Sequence, residues 1–232
     1  MDANQLVLVQ GVRDTRATLL RWNVAPWAVV RPWVVGAAAV TAGLLLSVVV
    51  IGSIATPDLT PVLLPGLNAP TGLRPVGDVL YRNSLVLALH AFACVAGFIA
   101  GSSVPLQAER HTGFTKKLHD RAGPLAIAFV IGATSFSLAT QAYVLGSAAS
   151  TLAAQGHVSV VLLVVGLLPH AVPELMALFL PLAAWIVASR REQWHELLAA
   201  TFVTVGIAAP VLIVAAFTEV YVSPHLILWL RG

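Results

Sequence analysis

Long apolar blocks separated by short polar stretches set the pattern of this chain. The blocks run to about 20 residues or more, the length that spans a bilayer as a helix. Five emerge: Trp33 to Ile54, Val79 to Val104, Pro124 to Leu145, about Pro173 to Ser189, and about His195 to Tyr221. The strict alternation of a membrane β-barrel is absent. The pattern therefore predicts an all-α, polytopic membrane helical bundle with about five transmembrane helices. Ahead of the first block, Leu6, Val9, Val12, Leu19 and Leu20 mix with Arg13, Arg16 and Arg21. That mixture predicts an N-terminal interfacial helix, with a solvated cytoplasmic tail as the alternative. Trp22, Trp27 and Trp33 suit the headgroup boundary. The domain reading is an N-terminal segment, 1–32, and a single transmembrane domain, 33–232.

Prolines and glycines punctuate this pattern. Pro57 ends the first block, and Asp58 to Gly77 carries Pro61, Pro65, Gly66, Pro70, Gly72 and Pro75, so this stretch is expected to lack regular structure. A short uncharged stretch, Ala148 to Gly156, follows the third block. The run from His157 to Ser189 would rise about 50 Å as one helix, against a hydrocarbon core of roughly 30 Å. Within it lie Pro169 and Pro173. We expect a short broken or re-entrant helix, Val158 to Leu168, then a break at Pro169 to Val172 and a span starting near Pro173. Glu174 then falls in a first helical turn, facing the positive end of the dipole. Pro181 is expected to kink that span and Pro210 to break the next.

Composition sharpens the class. Of 232 residues, 58% are hydrophobic and 10% charged, where a soluble domain is roughly half apolar and a quarter charged. The net charge of +3 does not indicate nucleic acid, because the basic residues sit at helix ends. Ten Lys and Arg (Arg13, Arg16, Arg21, Arg31, Arg110, Lys116, Lys117, Arg121, Arg190, Arg191) alternate with three (Arg74, Arg82, Arg231). The positive-inside rule then places the N-terminus in the cytoplasm and the C-terminus outside. The first apolar block starts only at Trp33, so no cleavable signal peptide is expected. The lone Cys94 has no internal disulfide partner.

Polar residues inside the apolar blocks are costly and therefore informative. Asn83, His90, Gly97 and Gly101 follow intervals of seven, seven and four, which put them on one helical stripe. Gly97 and Gly101 form a small-xxx-small pair suited to helix packing or to a homo-oligomer contact. For His90 the bland alternative is a core imidazole bonded to a carbonyl. The predicted topology brings Arg82, Asn83, Gln141, His170, Glu174 and Glu219 toward one level, where lipid satisfies none of them. His170, Glu174 and Glu219 offer one nitrogen and two oxygens to a metal such as zinc, with His90 as a fourth candidate. Three uses stay open: metal-dependent chemistry on a peptide, by an intramembrane hydrolase or peptide ligase; an ion or proton site in a transporter; or an internal network that holds the helices in register. No GxSxG, HExxH or GxxxxGK[ST] pattern occurs.

The residues also resemble a known family. Leu167-Leu168-Pro169-His170 with Glu174 four residues later, the helix from Asn83 to Gly101, and the ending Thr218-Glu219-Val220-Tyr221-Val222-Ser223-Pro224 look like stage II sporulation protein M. The resemblance covers roughly Leu80 to Pro224. Ala171 stands where the family usually has glycine, and Pro173 is an unusual addition. The resemblance implies a bacterial cytoplasmic-membrane protein. It also implies a scaffold or peptide-handling subunit whose partners are envelope proteins or a membrane peptide. In spore formers the family member gathers cell-wall-degrading partners, and some relatives accompany circular bacteriocin production. A non-enzymatic scaffold with no obligatory cofactor is the reading preferred from the sequence.

Overall fold

The computed structural model describes residues 7–58, 60–99 and 114–231. Among these it forms seven α-helices: α1 (Val7–Trp22), α2 (Pro26–Ile54), α3 (Leu73–Phe98), α4 (Phe114–Gly156), α5 (Val160–Arg190), α6 (Leu197–Tyr221) and α7 (Ser223–Arg231). A 3-10 turn, Trp194–Glu196, leads into α6, and the one β feature among the described residues is an isolated bridge, Pro65 to Ala69. Four described segments are long and apolar enough to cross a membrane: α2, α3, α5 and Trp194–Tyr221. The protein is a membrane-embedded helical bundle, as the hydropathy pattern predicts.

Several expected boundaries shift. α2 begins at Pro26 and passes through Pro32, so the expected division between residues 32 and 33 falls inside a helix. α3 starts at Leu73 and takes in Pro75 and Gly77. Proline is tolerated in a first helical turn, whose N–H groups have no intrahelical partner. Ala148 to Gly156 is the last part of α4. Residues 100–104, the end of the expected second span, lie outside the described residues, as does Gly101.

The expected break at Pro169 to Val172 does not occur. α5 runs unbroken from Val160 to Arg190, and α6 likewise runs through Pro210. A proline deletes one backbone donor. Ending a helix in lipid would strand several donors and acceptors where no water replaces them. Continuity therefore costs less than the break, because a helix longer than the hydrocarbon core is accommodated by tilting or projecting at modest cost. Glu174 consequently sits mid-helix, and the dipole argument for it does not apply.

Ser159 caps the start of α5 by accepting the Leu162 N–H at 3.1 Å. Just before it, α4 ends in a Schellman turn: Val158 N–H bonds Ala153 O at 3.0 Å and His157 N–H bonds Ala154 O at 3.2 Å. His157 holds the left-handed position at φ 52°. Glycine occupies such positions at no steric cost. His157→Gly should therefore raise stability by about 0.5–1 kcal/mol, measured as a later midpoint in detergent unfolding.

The described chain divides into two compact units. Unit 1 comprises Met1–Ala37, Leu87–Thr134 and Leu178–Ile207. Its core gathers Cys94, Phe98, Trp185, Ala188 and Leu197. α1 packs into this unit through buried Thr18, an edge-on Trp22–Trp33 contact and an Arg21–Glu196 ion pair at 3.3 Å. A Cβ at Gly97 would stand 2.5 Å from Trp185 Nε1, so this glycine is a close-packing position. Cys94 is fully buried and its thiol bonds Pro181 O at 3.2 Å. A water-soluble maleimide should leave Cys94 unmodified in the folded protein and label it once the chain is unfolded, read by intact mass.

Unit 2 comprises Ala38–Val86, Ser135–Ala177 and Ala208–Gly232. One cluster of its core joins Val48, Ala149, Leu152, Ala153, Leu163, Val164 and Ile227. Another joins Val76, Val79, Ala216 and Val220. The loop between α2 and α3 is tied down by Asp58 N–H to Thr151 Oγ1 at 2.9 Å and by Ser150 Oγ to Ala55 O at 2.8 Å. α7 is anchored by buried Ser223, Pro224 and Ile227, so the C-terminal stretch is packed on one side while Trp229 stays exposed.

Candidate functional site

α5 supplies two residues of the site from a single face. His170 and Glu174 are four apart in a continuous helix, a spacing that makes them neighbours. α6 supplies Glu219 two residues before its end at Tyr221. One ligand-capable atom from each of His170, Glu174 and Glu219 lies within 4.8 Å of the other two. His170 is buried, and both glutamates are half-buried.

The corner between α6 and α7 adds a fourth residue. His170 Nδ1 stands 2.6 Å from Ser223 Oγ, and Ser223 is 0% exposed. The sequence reasoning assigned no role to Ser223. A signal was present, because Ser223 follows Glu219 by four residues and Pro224 marks a helix start. Gly66, in the loop before α3, presses on the same corner. At φ 81° it brings its α-carbon so close that a Cβ would meet Pro224 Cγ at 2.7 Å and Val220 O at 2.9 Å.

α3 contributes Asn83 and Arg82. Asn83 is 9% exposed and lies within reach of Glu174. Its Nδ2 and the Glu174 Oε2 are both buried, and each lacks a hydrogen bond of acceptable geometry. Arg82 is exposed, donates Nε–H to Asp78 O at 3.3 Å, and stands within electrostatic reach of both glutamates.

The remaining candidates have other partners. Gln141 donates along its own helix to Ser137 Oγ at 3.1 Å. His90 belongs to unit 1, where its Nδ1 pairs with Leu178 O at 2.8 Å and its ring lies against Phe179. The core-imidazole alternative thus describes its surroundings.

Chemically, a histidine and two carboxylates this close are able to hold a cation or to share protons. A serine hydroxyl lies beside the histidine, and Ser223 is fully buried. No curated protein matches the chain, and no solved structure does. The family model of stage II sporulation protein M matches residues 42–224. That match takes in Asn83, His170, Glu174, Glu219 and Ser223, and the chain belongs to the stage II sporulation protein M family.

Proposed function

We propose that this protein is a non-enzymatic, multi-pass subunit of the bacterial cytoplasmic membrane that holds envelope proteins or a membrane peptide in place. The observation that carries this reading is the convergence of polar groups from four helices of unit 2 on one buried corner. Asn83 comes from α3, His170 and Glu174 from α5, Glu219 from α6 and Ser223 from α7. Such a corner fixes the register of helices that lipid alone does not order. The complete burial of Ser223 favours bracing over nucleophilic attack. The ten-to-three distribution of Lys and Arg supports a cytoplasmic N-terminus and an external C-terminus.

Blue-native electrophoresis of membranes from the source organism tests the reading. The chain should migrate in an assembly heavier than its own 24.3 kDa plus detergent. Glu174→Gln and Glu219→Gln should weaken that assembly in step with folding. Migration as an isolated chain, or peptide-bond turnover by the purified chain in liposomes, would overturn it.

A further inference from the structure

We propose that His170, Glu174 and Glu219 form a binding site for one zinc-class divalent cation, with Ser223 orienting the imidazole. The inference rests on the geometry of the corner and not on the scaffold reading. Charge is the first argument. Two carboxylates with ligand atoms within 4.8 Å of each other, both shielded from water, repel strongly when ionised. Among the described residues Arg82 lies within electrostatic reach of both, and it is exposed. A divalent ion balances both charges at the point where they meet.

The donor set is the second argument. One imidazole and two carboxylates match zinc-class ions, whereas calcium takes six to eight oxygens and magnesium keeps several waters. With Nδ1 engaged by Ser223 Oγ, the nitrogen left to coordinate is Nε2. This is the arrangement in which an outer hydrogen bond fixes the tautomer of a liganding histidine. In the liganding tautomer Nδ1–H donates and Ser223 Oγ accepts. Zinc bonds of roughly 2 Å put ligand atoms about 3–4 Å apart, so atoms that lie within 4.8 Å of one another need only to close in on the ion.

The third argument comes from Asn83 and the Glu174 oxygen it faces. Asn83 is 9% exposed and its side chain pairs with Glu174, at a geometry that leaves its buried Nδ2 short of a full hydrogen bond. Glu174 Oε2 is buried and likewise short of one. Unpaired polar atoms in a membrane interior are costly. A cation on Glu174 satisfies that oxygen directly and leaves Asn83 to bond the liganded carboxylate or a metal-bound water.

The test uses full-length protein carrying a purification tag without histidine. Elemental analysis after detergent purification should find close to one zinc per chain. After chelator stripping, added zinc should restore that stoichiometry, and cobalt(II) should give the visible d–d bands of a nitrogen- and oxygen-ligated ion. His170→Ala, Glu174→Gln and Glu219→Gln should each lose stoichiometric binding while remaining monodisperse and helical by circular dichroism. Stripped wild type that stays folded yet binds neither zinc nor cobalt overturns the site, and so do folded variants that keep wild-type metal content. Should the variants not fold, the wild-type titration and cobalt spectrum decide by themselves. Native-gel assembly is scored separately, so loss of the metal site leaves the scaffold reading standing, and the reverse.

Discussion

Gly66→Ala is expected to destabilise the protein by roughly 2–5 kcal/mol, the sum of two separate penalties. Gly66 holds φ at 81°, a left-handed conformation that costs a residue with a Cβ about 1–2 kcal/mol. The new methyl would also stand 2.7 Å from Pro224 Cγ and 2.9 Å from the Val220 carbonyl oxygen. The second neighbour is helix backbone and yields little, so overpacking adds about 1–3 kcal/mol. The displaced segment carries Glu219 and Ser223, so the damage reaches the polar corner. Denaturant titration in detergent measures the effect, with Gly77→Ala as the control. Gly77 lies in α3, where an added Cβ would meet nothing within 4 Å, and alanine there should stabilise by up to about 1 kcal/mol. Equal effects at the two positions would refute the close approach of the loop to the α6–α7 corner.

Gly146→Leu carries the second large effect. A Cβ on Gly146 would lie 2.7 Å from both Cβ and Cγ2 of Ile51, and 3.3 Å from the Gly52 nitrogen. Reciprocally, a Cβ on Gly52 would meet the Gly146 carbonyl at 3.0 Å. α2 and α4 therefore touch backbone to backbone, as small residues in membrane helices allow. Even one methyl intrudes, and leucine adds three more carbons with nowhere to go. The helices must separate, with loss of packing in the neighbouring cluster of Val48 and Ala149. The expected cost is about 3 kcal/mol or more, visible as loss of the monodisperse species or a much earlier unfolding midpoint. Gly132→Leu is the control, since Gly132 is exposed with open space beside it and should tolerate the change. A stable, monodisperse Gly146→Leu protein would exclude the contact between α2 and α4.

The candidate site was legible in part, and the parts that were not share a cause. His170 and Glu174 stand out because ionisable residues in an apolar run are rare, and their spacing of four places them on one face. Glu219 stands out for the same reason near the end of a helix. Which distant side chain each one meets is not a local property. Gln141 has the right polarity, yet its partner is Ser137 on its own helix. His90 pairs with the Leu178 carbonyl, and helical spacing alone carries no information about that partner. Ser223 is small, polar and at a helix start, where serine is ordinary. Its role emerges only when α7 is folded back beside α5.

The sequence by itself determined that the chain is a membrane-embedded bundle of helices and which apolar blocks form them, while most of the helix ends lie several residues from where hydropathy places them. Its signature residues, and the match over residues 42–224, also determined the family. Lipid offers no partners to the backbone, so each apolar block must satisfy its own N–H and C=O groups as a helix. Hydropathy therefore fixes such segments almost without reference to the rest of the chain. Tertiary structure decided what depends on neighbours. The two prolines flanking His170 leave α5 unbroken, Gly146 abuts α2, and Gly66 wedges the α6–α7 corner. It likewise brought one histidine and two glutamates within 4.8 Å of one another. Each of these is a balance between a local penalty and a contact with a segment far away in sequence, and only the packed bundle contains both sides of that balance.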